Sequence, residues 1–509
     1  MEEFDRLRPV GLGTKTMEGS NVRRMKVMLA MLLALSMLAA ACGDDSDDSS
    51  SDDSSSDDAA DDDAASDDAA DDDAADDDAA SDDDMADDGG EVATDHGVDV
   101  ENKVIRVGLN ADLSGPFASL VAEIVASQQV YWEVFNDAGG YKGWTVETVV
   151  LDSGYQTDVG IQNYEELAQE GEDGVLMITE NTGSPITSAI SEQAADDNML
   201  VIPLSWASLW PDPDIGSAIL EKGPTYCVEA INSVEWLKGY VESQGLEPSL
   251  AIVTRPGEYG EDGAAGAAIA AEELGIPVVY DGTSAVAGDD RTAIVAEILG
   301  SGATMVFVTL TPGETIDIFG NAVSQGFEGY WTGNSPSFNY LFHMASDFAA
   351  QFDEYYFHSG YYAPWGTSGV EGMEAIVAEM SARRPELNIS DVYTVGWQEG
   401  IMAQTLIEAA IDAGDMTRAN MVAISQDPSF SVDFLGLSAN QSWPADYNAA
   451  LVRGSYIYDV SLADFNIIST GESTPDNLGS SGMIVEEADY IGSVAANYVF
   501  DGPCIEASG

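Results

Sequence analysis

From residue 104 onward the chain alternates short, continuous apolar runs with longer stretches in which apolar residues return every three or four positions. Residues 104–109 read as a buried strand. After the Ser114-Gly115-Pro116 turn, Val121, Ile124, Val125, Trp132 and Phe135 mark one face of a helix that Gly139-Gly140 stops. The unit repeats as strand 146–151, helix 158–169, strand 174–179, helix 184–197 and strand 200–203, and the first series closes near Lys222. A second series opens with strand 249–254 and the Pro256-Gly257-Glu258-Tyr259-Gly260 loop, followed by an Ala-rich helix to Leu274. It continues through strand 276–280, helix 290–299, strand 304–310, helix 314–325 and a short strand at 329–331. Such alternation predicts an α/β fold of two doubly wound lobes, because right-handed crossovers place helices on both faces of open parallel sheets. Ligands of such sheets bind at the carboxyl ends of the strands. The strand-end loops are then 110–120, 180–184, 204–208, 255–260, 311–314 and 332–337, facing one another across a cleft.

The residues ahead of this body carry a different pattern. Residues 27–41 form an apolar run of 15, interrupted only by Ser36, behind Arg23, Arg24 and Lys26. That is shorter than the ~20 residues of a membrane-spanning helix, and Ala39-Ala40-Ala41 then lead into Cys42. This order predicts a lipoprotein signal peptide over residues 1–41, with Met25 a candidate true start and Cys42 as the lipidated first residue of the mature protein. Lipoprotein signals more often carry a larger aliphatic residue where Ala39 stands, so the alternative is an ordinary cleaved signal in which Cys42 is incidental. Either reading exports the chain. Residues 44–88 hold 24 Asp and no Lys or Arg, otherwise almost only Ala and Ser, and cannot bury enough apolar surface to offset their ordering entropy. Residues 42–100 are expected to be a disordered tether that holds the body away from a negatively charged envelope. Calcium binding by the Asp runs is disfavoured, since calcium sites need preorganised ligands and a turn glycine.

The whole chain has a formal net charge of −74, and beyond residue 90 there are 11 Lys plus Arg against 63 Asp plus Glu. An excess of this size excludes nucleic acid as a partner and predicts a protein whose melting temperature rises with salt, suited to a saline habitat. The two remaining cysteines, Cys227 and Cys504, are expected to pair in an exported chain, although two separately buried thiols fit the spacing equally well. Catalysis has little support. The three histidines, His96, His343 and His358, belong to no nucleophile–base arrangement, and no Gly-x-Ser-x-Gly elbow or clustered His/Cys set is present. The Gly-rich stretch 257–266 lacks the P-loop lysine and the dinucleotide fingerprint. No catalytic residue, metal or cofactor is expected.

Small hydroxylated residues dominate the strand-end loops. A Ser hydroxyl beside the free N–H groups and positive end of a helix makes a neutral receptor for a carboxylate, which selects Ser184 and Ser205; plain helix capping is the alternative. Several motifs then occur in order: Leu113-Ser114-Gly115-Pro116 with the Gly139-Gly140 stop, Asn181-Thr182-Gly183-Ser184, Glu258-Tyr259-Gly260, and Tyr393-Thr394-Val395-Gly396-Trp397 opening a late helix. Over residues 103–470 the chain resembles the branched-chain amino-acid-binding type of periplasmic solute-binding protein.

The resemblance implies two Rossmann-like lobes joined by a hinge of several crossovers, the type I clamshell. Lobe 1 would combine 103–222 with 360–450, and lobe 2 would combine 223–359 with 454–470, leaving 471–509 as a C-terminal tail. It implies a lipid-anchored, monomeric, extracytoplasmic receptor that takes a small solute to ABC permease subunits; a sensor using the same clamshell is the alternative. The ligand carboxylate would meet Ser184, Ser205 and Ala207, and the Tyr259 ring would close over it, with Thr311 on a further cleft loop. Two departures affect the substrate. Leu120 stands where an aromatic residue is common, and Asn334 stands where an acid often accepts the ligand ammonium, a weaker partner than a carboxylate. Trp206 and Trp210 suggest a flatter or larger solute, such as an amide, an aromatic acid or a peptide-like compound, or else they pack core and hinge.

Overall fold

The computed structural model describes residues 92–288, 290–469 and 481–506. The expected leader, Cys42 and the Asp-rich tract lie outside the described residues.

The first sheet is built from β1 (Val98–Asp99), β2 (Val104–Ala111), β3 (Thr145–Asp152), β4 (Met177–Thr182) and β5 (Val201–Leu204). Its parallel strands run in the order β3–β2–β4–β5, and β1 lies antiparallel against the first residues of β2. Helices α1 (Ala118–Asp137), α2 (Thr157–Leu167) and α3 (Ser184–Asp196) follow β2, β3 and β4. Covering both faces explains the continuous apolar strands: β4 is buried at every position, polar ones included.

The second series begins with α4 (Tyr226–Ser243), β6 (Leu250–Thr254), α5 (Glu258–Leu274) and β7 (Val278–Gly282). It continues through α6 (Thr292–Ser301), β8 (Met305–Thr309), α7 (Pro312–Ser324), β9 (Tyr330–Gly333) and β10 (Tyr356–Gly360). Later residues supply β11 (Ser455–Val460) and β12 (Met483–Tyr490), giving a seven-stranded sheet in the order β12–β11–β10–β9–β8–β6–β7. Its body is parallel, while β11 and β12 add antiparallel at one edge.

Between β10 and β11 the chain returns to the first sheet. There α8 (Tyr393–Ala413) packs against α1, so closely that a Cβ on Gly396 would collide with the Ile124 carbonyl oxygen. One apolar core therefore joins first-sheet residues such as Val107 and Ile178 to Met373, Met402 and Leu406, and two further cores fill the faces of the second sheet. Two lobes result.

The last residues depart from the sequence reading, which left 471–509 as a tail outside both lobes. Met483–Tyr490 is instead the edge strand β12. Only Met483 is buried, while Ile484 and Ala488 are exposed along with Glu486, Glu487 and Asp489, so no apolar alternation announces it. Farther on, Cys504 is bonded to Cys227 at the start of α4, with Cα atoms 6.5 Å apart. The Cys504 N–H also donates to Ser208 Oγ at 2.8 Å, and Ser208 in turn donates to Asp262 on α5. The C-terminal segment thus ties the 204–208 loop of the first series to two helices of the second.

Candidate functional site

The α3 helix starts where β4 ends, and the turn between them requires glycine. Gly183 has φ +103°, and a Cβ there would lie 2.6 Å from the Tyr155 ring. Ser184 follows as the first helical residue, with Pro185 behind it. The first-turn N–H groups of such a helix have no intrahelical acceptor and form its positive end. The Ser184 hydroxyl lies 2.7 Å from the Ser205 hydroxyl, which also accepts the Trp210 Nε1–H at 3.1 Å. On the other side Ser184 meets the Tyr226 phenol, whose pKa burial drives well above its ordinary range.

This helix end opens on a cavity with about 520 Å³ of space between protein atoms, its mouth included. The α1 side contributes Phe117, Leu120, Val121 and Ile124, and the start of α8 contributes Val392 and Val395. Tyr155, Thr182, Ser184, Leu204 and Trp206 come from the first sheet's strand ends. The second series contributes Tyr226, Tyr259, Ser335 and Pro336, while Tyr361 and Tyr362 follow directly after β10. Walls from both series therefore meet. Tyr259 sits edge-on to Phe117 at 5.8 Å and to Tyr226 at 4.7 Å, and donates its hydroxyl to the Leu310 carbonyl at 2.9 Å. Arg255 closes the same seam, its guanidinium 5.6 Å from the Phe117 centroid and 5.4 Å from that of Tyr155.

Of the residues singled out from sequence, Leu120, Ser184, Trp206 and Tyr259 line this cavity; Ser205, Ala207, Asn334 and Thr311 do not. Ser205 stands behind Ser184 as its hydrogen-bond partner. Ala207 is fully buried, and its carbonyl accepts from the Trp210 N–H at 3.2 Å. Thr311 is the N-cap of α7, joined to Glu314 in a reciprocal capping box that occupies its hydroxyl. Asn334 is consumed internally: its amide donates to the Tyr226 carbonyl and to Glu229 Oε2, both at 3.2 Å, and its oxygen accepts from Thr309 at 2.6 Å. Trp210 is a core residue.

The other five aromatic wall residues, Phe117, Tyr155, Tyr226, Tyr361 and Tyr362, escaped the sequence reading. Phe117 directly follows Ser-Gly-Pro, so the ring expected at position 120 sits three residues earlier. Tyr155 and the Tyr361-Tyr362 pair stand just past the ends of β3 and β10, a signal available only once those strand ends were known.

Several buried carboxyls stand behind the wall. Glu229 accepts from the Ser335 N–H at 2.8 Å, Ser359 Oγ at 2.9 Å and Asn334, yet burial outweighs these bonds and raises its pKa to about 7. Lys222 Nζ pairs with Glu399 at 2.9 Å and lies 5.4 Å from the Trp206 centroid. Glu180, nearby, is pushed well above its ordinary range by burial and then by the charge of Glu399. Among the described residues no group of three or more His, Cys, Asp and Glu could hold a metal ion.

The family model described as periplasmic binding protein matches residues 104–461. The chain belongs to that family. A Leu/Ile/Val-binding protein homolog from Brucella melitensis is 24% identical over 204 residues, covering 40% of this chain, which spans about half (53%) of that relative's length. Among solved structures, a fatty acid ABC transporter substrate-binding protein from Thermomonospora curvata superposes with TM-score 0.69 at 24% identity, covering 80% of this chain and 97% of the other. A branched chain amino acid ABC transporter from Thermus thermophilus with bound valine gives TM-score 0.63 at 15% identity, covering 77% and 98%. At these identities the structures share the type I two-lobed fold with this chain.

Proposed function

We propose that this protein is the extracytoplasmic receptor of an ABC importer, anchored through a lipid on Cys42, that captures a small carboxylate-bearing solute between its lobes and delivers it to membrane permease subunits. The observation that carries the reading is the cavity at the N-terminus of α3, walled by Ser184 from one series and Tyr259 from the other. Ligand docks on the first-lobe loop, and second-lobe contacts then favour the closed state, since only a difference in affinity between open and closed forms can shift their populations. The names of the similar proteins span leucine, isoleucine and valine, bound valine, and fatty acid. The family membership supports export, and the expected leader accords with it.

A thermal-shift screen of amino acids, amides, aromatic acids and short-chain acids tests the reading, followed by titration calorimetry on the best hit. Binding should raise the melting temperature and reduce the radius of gyration in X-ray scattering. Tyr259→Ala should weaken the best hit by about 1–3 kcal/mol. If no small solute moves the melting temperature, the receptor reading fails. Loss of membrane attachment in Cys42→Ser checks the anchor separately.

A further inference from the structure

Resting on the reading of the cavity as the solute site, we propose that its ligand is an apolar carboxylic acid without an α-ammonium group. Among the described residues that line the cavity there is no Asp or Glu. Glu229, a carboxyl behind the second-lobe wall, is already enclosed by donors from Ser335, Ser359 and Asn334. A buried ammonium is a group of three donors and no acceptor, and it is tolerated only when paired.

The electrostatic surroundings point the same way. Seven aromatic rings could in principle cage a cation, but protein cations already lie against three of them: Lys222 against Trp206 at 5.4 Å, and Arg255 against Tyr155 at 5.4 Å and Phe117 at 5.6 Å. Both cations are already paired with carboxylates, Lys222 with Glu399 and Arg255 with Glu314, so it is the positive end of α3 that favours negative charge in the cavity. Two polar atoms of wall residues are buried without any hydrogen-bond partner, Trp206 Nε1 and Tyr361 Oη. The indole nitrogen is a donor only, and the phenol readily donates. The indole therefore calls for an acceptor, such as a carboxylate or keto oxygen, and the phenol can donate to the same group. The rest of the wall is Phe117, Leu120, Val121, Ile124, Val392 and Val395, which suits a branched or aromatic hydrocarbon tail.

The test is titration calorimetry of the exported protein with matched pairs: 4-methylpentanoate against L-leucine, 3-phenylpropanoate against L-phenylalanine, and glycine betaine as a caged-cation probe. At least one acid should bind about tenfold or more tightly than its amino counterpart, because an unpaired buried charge carries a large desolvation penalty. Tyr361→Phe should weaken that acid about threefold to tenfold through loss of one hydrogen bond while leaving the melting temperature of the free protein unchanged. Tighter binding of the amino acid or of betaine overturns the proposal. So does binding of neither member of any pair. In that last case the broad thermal-shift screen separates the two claims, since a hit of another class leaves the receptor reading standing and no hit at all removes both.

Discussion

Replacing Lys222 by Met would leave two buried carboxyls without their shared cation. Lys222 is 1% exposed and Glu399 is fully buried, with 2.9 Å between ammonium and carboxylate. Once the amine is gone, Glu399 keeps only the Gln128 amide at 3.0 Å, and its charge acts unopposed on Glu180, whose Oε2 has no partner. Removing one member of such a pair costs about 3–5 kcal/mol. Protonation of Glu399 offers partial relief. Its folded pKa is already raised by burial against the opposing pull of Lys222, and without the amine it would rise further. A carboxyl whose folded pKa exceeds its unfolded value stabilises the fold below the unfolded value and loses that contribution as pH rises through the folded one. The deficit of Lys222→Met should therefore be largest at pH 8 and shrink toward pH 5. Lys222→Met with Glu399→Gln removes the buried charge and should recover most of the loss. Equilibrium urea unfolding of the four proteins in this cycle at both pH values measures these terms. A Lys222→Met variant within about 1 kcal/mol of wild type at pH 8 would refute the buried-pair argument, given the magnitude expected for an uncompensated charge.

The same sign governs the wild type. Burial raises Glu123, Glu229 and Asp262 to about 7 from 4.5, 4.5 and 3.8. Stability should fall as pH rises from about 4 to 7 and flatten above, a thermal-melt slope that Glu229→Gln reduces and that a pH-independent midpoint would contradict. The Cys227–Cys504 bond spans a sequence separation of 277 residues. Chain-entropy arguments assign a loop of that length about 5 kcal/mol, with measured native disulfides at about 2–5. Cys504→Ser should lower the melting temperature as much as reduction lowers that of wild type, and equal melting of oxidised and reduced protein would count against this.

Elements whose faces are both covered were legible in the sequence, because burial writes itself as runs such as Met177-Ile178-Thr179 and as the three-to-four spacing of α1. The edge strand β12 was not, since apolar Ile484 and Ala488 are exposed alongside Glu486, Glu487 and Asp489 and no alternation results. At the site, Ser184 and Tyr259 could be found because each stands beside a glycine turn with a conformational reason: Gly183 at φ +103° before one and Gly257 at φ +92° before the other. Asn334 could not be assigned the same way. Its side chain is engaged by Glu229, 105 positions earlier, a partner fixed only when α4 packs beside β9. Polar residues at strand ends are therefore poor guides to recognition until those already satisfied by the protein are removed. Ser205, Thr311 and Asn334 drop out by that criterion, while the indole of Trp206, which the sequence offers as either solute contact or packing, and the phenol of Tyr361, which it does not single out, keep a donor unspent. The ligand chemistry proposed for this cavity follows from that remainder: two unspent hydrogen-bond groups and a helix N-terminus within an apolar wall would select an acceptor at one end of the solute and hydrocarbon at the other.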